Sequence, residues 1–133
     1  MAFRLAKFVP VDRENRDAAL ASVQQAVEYA REGFSFLVYP EGTRSPDGRL
    51  RRFKKGSFAI AIEAGIPIVP VACSGAHRIM PKNSLIVRPG KVTVRFGKPI
   101  DASAYTVEQR DELAQIVHDA VAAELPEDQK PPV

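Results

Sequence analysis

One cysteine, Cys73, in 133 residues excludes an internal disulfide. It ends an apolar run, so it reads as a small core side chain before it reads as a nucleophile. Only two histidines are present, His77 and His118. No His, Cys, Asp or Glu cluster has ligand spacing, so no metal site is expected. No stretch approaches the ~20 apolar residues of a membrane-crossing helix, and no secretory signal pattern opens the chain. These absences lead to the expectation of a soluble or peripheral chain whose site faces the cytoplasm.

What is present fits one globular domain: 45% hydrophobic and 26% charged residues. The net charge of +3 is unevenly spread. Arg44–Gly56 holds six basic residues and one acid, a local +5 that leaves −2 for the rest. Such a patch suggests an anionic partner, whether phosphate, acidic lipid or nucleic acid. The chain has no nucleic-acid module and few aromatics near the patch, so nucleic acid is not the expected partner. A merely solvated loop is the plain alternative.

Periodicity predicts three helices. The first spans about Arg16–Glu32, with Ala19, Leu20, Val23, Ala26, Val27 and Ala30 on one face and Gly33 closing it. Asn15 is its candidate cap. A short, well-buried helix runs from an N-cap at Ser57 to Ala64 and stops at Gly65. The third starts at Thr106, where Thr106 and Gln109 have capping-box spacing, and Leu113, Ile116, Val117, Ala120 and Val121 give its apolar face. Strands are predicted at Phe8–Val11, Phe34–Tyr39 and Ile66–Cys73. Pro67 and Pro70 make the last one irregular. A hairpin is predicted from Ser84–Arg88 and Lys91–Phe96 around Pro89-Gly90. The class is α/β, a layered mixed sheet flanked by helices. The domain covers 1–125, and 126–133 reads as a disordered tail.

The chemistry centres on Val38-Tyr39-Pro40-Glu41-Gly42-Thr43-Arg44-Ser45. Pro40 and Gly42 stop a strand and turn the chain, presenting Glu41, Thr43 and Arg44 where open α/β sheets place ligands. Arg44 offers a planar fork for phosphate oxygens, and N–H groups around Gly42 can add donors.

Pro40–Ser45 resembles the third sequence block of the glycerolipid acyltransferases, the lysophosphatidate acyltransferase family. Phe8-Val9-Pro10-Val11-Asp12-Arg13 resembles the second block, and Ile66-Pro67-Ile68-Val69-Pro70-Val71 the fourth. The family's first block, a His and an Asp with four residues between them, supplies the catalytic base and is absent. Lys82 stands five residues after His77, and Ala123 five after His118. The apolar opening, Met1–Val11, reads as the middle of a larger domain. The domain is therefore expected to be incomplete at its N-terminus, with an exposed edge or apolar face that promotes association.

The resemblance implies transfer of a fatty acyl group from acyl-CoA or acyl carrier protein to lysophosphatidate, with no other cofactor. It implies a peripheral place at the cytoplasmic membrane face. It assigns Arg13, Gly42, Thr43 and Arg44 to the acceptor phosphate. No residue of this chain is assigned as the catalytic base. Glu41 is expected to position Arg44 or Arg13, to contact the acceptor, or to make a structural ion pair. Its neighbouring arginines predict a low pKa, which suits positioning better than proton transfer. Arg49, Arg51, Arg52, Lys54 and Lys55 have three readings: a bilayer contact, a donor-phosphate contact, or a solvated loop. Phe53 reads as core before it reads as a membrane wedge. His118 reads as a surface side chain and His77 as a loop residue near the site. A non-catalytic module binding anionic phospholipid is the alternative to an enzyme.

Overall fold

A computed structural model describes residues 16–132, with side chains from residue 21 onward. The expected strand Phe8–Val11, Asp12, Arg13, the cap Asn15, and the side chains of Ala19 and Leu20 lie outside the described residues.

Helix α1, Arg16–Arg31, buries Ala26, Val27 and Ala30. These positions recur at helical spacing and form one stripe. Gly33 ends the helix with φ 92°: its N–H bonds the Ala30 carbonyl, and the Phe34 N–H bonds that of Tyr29. This pair of bonds closes the last turn. Helix α2, Gly56–Ala64, packs against α1 and buries Phe58, Ala61 and Ile62. The Arg31 guanidinium ties the two by donating to the Glu63 carbonyl at 2.9 Å. Gly65 closes α2 as expected, but the N-cap position is Lys55 and no side chain caps it. Ser57 lies one residue inside the helix.

Strand β1, Pro67–Ile68, pairs antiparallel with β4, Ile100–Asp101. Strand β2, Val71–Ser74, pairs antiparallel with β3, Thr93–Phe96, placing Val71 opposite Phe96 and Ser74 opposite Thr93. Pro70 interrupts the run from β1 to β2, and its carbonyl accepts the Gly97 N–H instead. A short helix α3, Ala76–Ile79, follows β2. Gly75 has φ 88°, and a Cβ there would overlap the Lys91 carbonyl, so only glycine lets β2 end this close to β3. Helix α4, Arg110–Glu124, is entered through a 3₁₀ turn in which Gln109 Oε1 accepts the Thr106 N–H at 3.0 Å, the expected capping box. Its face of Leu113, Ala114, Val117 and Val121 joins Phe53, Phe58, Ala61, Ile62 and Ala72 in the main core.

The class is α/β, helices packed on short strands. Four further expectations change. Phe34–Tyr39 forms no ladder among the described residues; Leu37 is 76% and Tyr39 77% exposed, so no core fixes this segment as a strand. The hairpin around Pro89-Gly90 does not form, because β3 takes β2 as its partner and Ser84–Arg88 stays unpaired. The Ile66–Cys73 run is not fully buried: alternation along β2 buries Ala72 and turns Cys73 to solvent. Residues 126–132 are no disordered tail. The 3₁₀ turn Glu127–Gln129 packs onto the body, and Gln129 is buried.

Candidate functional site

A tight turn organises the site. Gly42, at φ 71°, donates its N–H to the Tyr39 carbonyl at 3.0 Å. That donor is therefore committed within the turn and is not offered outward. Two clips then hold the basic segment alongside. The Lys54 N–H donates to the Pro40 carbonyl at 2.8 Å, and Glu41 Oε2 accepts the Arg51 N–H at 3.0 Å. The Lys54 side chain crosses Gly42 so closely that a Cβ there would lie 2.8 Å from its Nζ. The backbone angle favours glycine, whereas the flexible end of the Lys54 side chain could move aside for a Cβ.

Thr43 and Arg44 are exposed. Arg44 Nη2 donates to the Lys82 carbonyl at 2.8 Å, and Nη1 reaches the Pro81 carbonyl at 3.5 Å. Glu41 contacts neither Arg44 nor a capping position; its partner is the Arg51 backbone. Arg13 lies outside the described residues.

The low pKa expected for Glu41 is also corrected. Burial pushes its carboxyl up from the ordinary value. The Arg51 N–H, the Arg51 charge and the His118 charge pull it down but do not offset the lost hydration. A carboxyl whose folded pKa is raised withdraws stability as pH rises from its ordinary pKa through the raised one. Glu41→Gln keeps an oxygen for the Arg51 N–H and removes the ionisation. The variant should lose less stability than the parent between about pH 4 and about pH 7. Urea midpoints at the two pH values check this; equal losses would show that Glu41 ionises without penalty.

Asp47 shapes the loop between turn and basic segment. It accepts the Ser45 hydroxyl at 2.8 Å and the Arg49 N–H at 3.1 Å, and these bonds hold its carboxyl below the usual range. Beyond it opens a cleft of about 830 Å³ between the basic segment and α4. Arg49, Arg51, Arg52, Lys55 and Lys82 line it. Lys55 pairs with Asp111 of α4. The other four cations have no carboxylate partner within 4.0 Å among the described residues. A concave surface with several unneutralised cations favours an anionic ligand. Lys54, by contrast, points over the Gly42 turn and does not line the cleft.

Phe53 is core, parallel to Phe58 at 6.2 Å, which removes it as a membrane wedge. His118 is not a surface histidine. Its side chain is only 12% exposed, meets Phe53 edge-on at 5.0 Å and lines the cleft, with Asp119 Oδ1 3.3 Å from Nδ1. Helical spacing carried the signal, since His118 falls four residues after Ala114 and three before Val121, at the border of the apolar stripe. His77 is not a loop residue: it lies in the short helix α3, and its ring packs against Gly48. Lys82, Asp111 and Gln129 are the site neighbours that sequence reasoning missed. The Leu50 N–H donates to the Gln129 carbonyl at 2.9 Å, and the Gly75 N–H to Gln129 Oε1 at 3.3 Å.

The acyltransferase family model matches residues 1–74, which hold all three of the sequence blocks. The chain belongs to the acyltransferase family. It is 39% identical to a 1-acyl-sn-glycerol-3-phosphate acyltransferase of Limnanthes douglasii over 97% of this chain and 46% of that protein. A protein of the same name from Haemophilus influenzae is 38% identical over 88% of this chain and 48% of its own length. The chain thus spans about half the length of the curated relatives it matches. Its fold matches the crystal structure of the 1-acyl-sn-glycerophosphate (LPA) acyltransferase from Thermotoga maritima. The TM-score is 0.70 at 38% identity, over 77% of this chain and 42% of that one. This acyltransferase domain therefore shares sequence and fold with part of those proteins.

Proposed function

We propose that this acyltransferase domain serves the transfer of a fatty acyl group from a thioester, on coenzyme A or acyl carrier protein, to the free hydroxyl of a lysophosphatidate-like acceptor in phospholipid synthesis. The observation that carries this reading is the double clip, Pro40 to Lys54 and Glu41 to Arg51, which holds the motif turn against a cation-lined cleft. The substrates named by the relatives are phosphate-bearing.

Roles follow from chemistry. An acceptor phosphate needs fixed cations that leave the hydroxyl facing the thioester carbonyl. Arg44, with Arg13 and the Thr43 hydroxyl, fills that role. Gly42 contributes the turn and the close approach of Lys54. Glu41 positions the basic segment and does not carry the proton. Arg49, Arg51, Arg52 and Lys55 face the cleft, where the phosphates of a thioester carrier are the fitting partners. Acyl transfer by this route needs a general base and oxyanion donors and calls for no metal. A peripheral place at the cytoplasmic membrane face belongs to the same proposal.

A charge-assisted hydrogen bond contributes roughly 1.5–3 kcal/mol. Arg44→Ala should therefore weaken lysophosphatidate binding about tenfold or more, at ~1.4 kcal/mol per decade. Arg44→Lys keeps the charge and loses the fork, so it should fall between. Titration calorimetry with a soluble short-chain lysophosphatidate measures it. Equal affinity in parent and Arg44→Ala would remove Arg44 from the phosphate site.

A further inference from the structure

Leu85 is 100% exposed, Ile86 68% and Val87 66%. Three consecutive large aliphatic side chains in water form an apolar tip with no cover among the described residues. The segment is shaped. The Arg88 N–H donates to the Ile79 carbonyl at 2.8 Å and closes the loop at its base. The Ser84 N–H bonds the Pro81 carbonyl at 3.1 Å, and the Ile86 N–H bonds Ser84 Oγ at 3.0 Å. These bonds present the three aliphatic residues at the apex.

Charge identifies the occupant. From Met80 to Val92 the sequence contains Lys82, Arg88 and Lys91 and no acid. An apolar apex ringed by cations alone is complementary to a bilayer with anionic headgroups, where apolar groups enter the acyl boundary and cations stay at the phosphates. The basic segment Arg49–Lys55 cannot do this, since its one large apolar pair, Leu50 and Phe53, is buried. No helix among the described residues is long and apolar enough to cross a membrane.

We propose that residues 80–91 are a bilayer-docking tip in which Leu85, Ile86 and Val87 insert and Lys82, Arg88 and Lys91 meet anionic lipid phosphates. The hydrogen bond from Arg44 to the Lys82 carbonyl joins this tip to the motif turn. A lipid acceptor lifted from the surface would then meet the phosphate-binding arginine at once. That link deepens the acyl-transfer reading, whereas the docking itself rests only on exposure and charge.

The test is sedimentation of the protein with phosphatidylcholine vesicles containing one quarter phosphatidylglycerol. Leu85→Ser/Ile86→Ser should weaken binding on the order of tenfold or more. Lys82→Gln/Arg88→Gln should do so by about fivefold per cation removed. Ile86→Trp reports position directly: its fluorescence should be quenched by lipids brominated on their chains. Circular dichroism confirms that each variant folds, and the exposed sites keep the core out of the result. Parent protein that ignores these vesicles overturns the proposal. So does full binding by Leu85→Ser/Ile86→Ser. Unquenched indole fluorescence from sedimented Ile86→Trp protein also overturns it and moves the contact to another surface or a protein partner. The vesicle measurement needs no turnover, so failure of acyl transfer and failure of the tip are read separately.

Discussion

Given lysophosphatidate and an acyl-coenzyme A, the 133-residue chain is expected to form phosphatidate about 10²–10⁴-fold more slowly than a relative that carries the His-x4-Asp block. The acceptor hydroxyl is a weak nucleophile until a base takes its proton. Loss of that base raises the barrier by roughly 3–5 kcal/mol. Neither histidine of the chain stands in an expected block. His77 lies against Gly48, and His118 packs on Phe53. Glu41 is committed to the Arg51 N–H. Mass spectrometry of the phosphatidate formed per minute decides the matter. A rate matching the relative's would overturn the expectation. It would also make His118→Ala the next variant, because His118 lines the cleft beside Asp119 and its charge reaches Glu41.

Leu113→Ala carries the largest expected cost in stability. Leu113 is 0% exposed, on the face of α4 that meets α2 and β2. Removing its branched end leaves a cavity that close-packed neighbours fill only in part, at about 2–5 kcal/mol. Ile116, one turn along the same helix, is 37% exposed. Its replacement by alanine should stay within about 1 kcal/mol. Urea midpoints of the two variants against the parent supply the comparison. Similar losses would mean that the core does not sit where α4 places it.

Where interactions are local, the sequence was readable. Ala26, Val27 and Ala30 set the face of α1 by spacing alone, and Gly33 and Gly65 closed their helices as glycine does. Thr106 and Gln109 announced α4 shortly before it began. Strand partners were not legible. Pro89-Gly90 carries a turn signal, but Thr93–Phe96 pairs with Val71–Ser74, and no local rule selects that partner. Phe34–Tyr39 has the apolar run of a strand and finds no ladder among the described residues. The site divides the same way. Its motif turn and basic segment could be read as neighbours in sequence. The clip from Glu41 to Arg51 spans 10 residues and the pair from Lys55 to Asp111 spans 56, so both needed the folded chain. Burial of Glu41 reversed the pKa expected from its charges, because composition reports neighbours but not hydration.

Gln129 has a practical consequence. Its backbone carbonyl holds Leu50, at the cleft, and its side-chain carbonyl holds Gly75, at the end of β2. Residues 127–132 therefore work as a clasp. Any cut that removed Gln129 would orphan two backbone donors at once, and the basic segment and the sheet would loosen together.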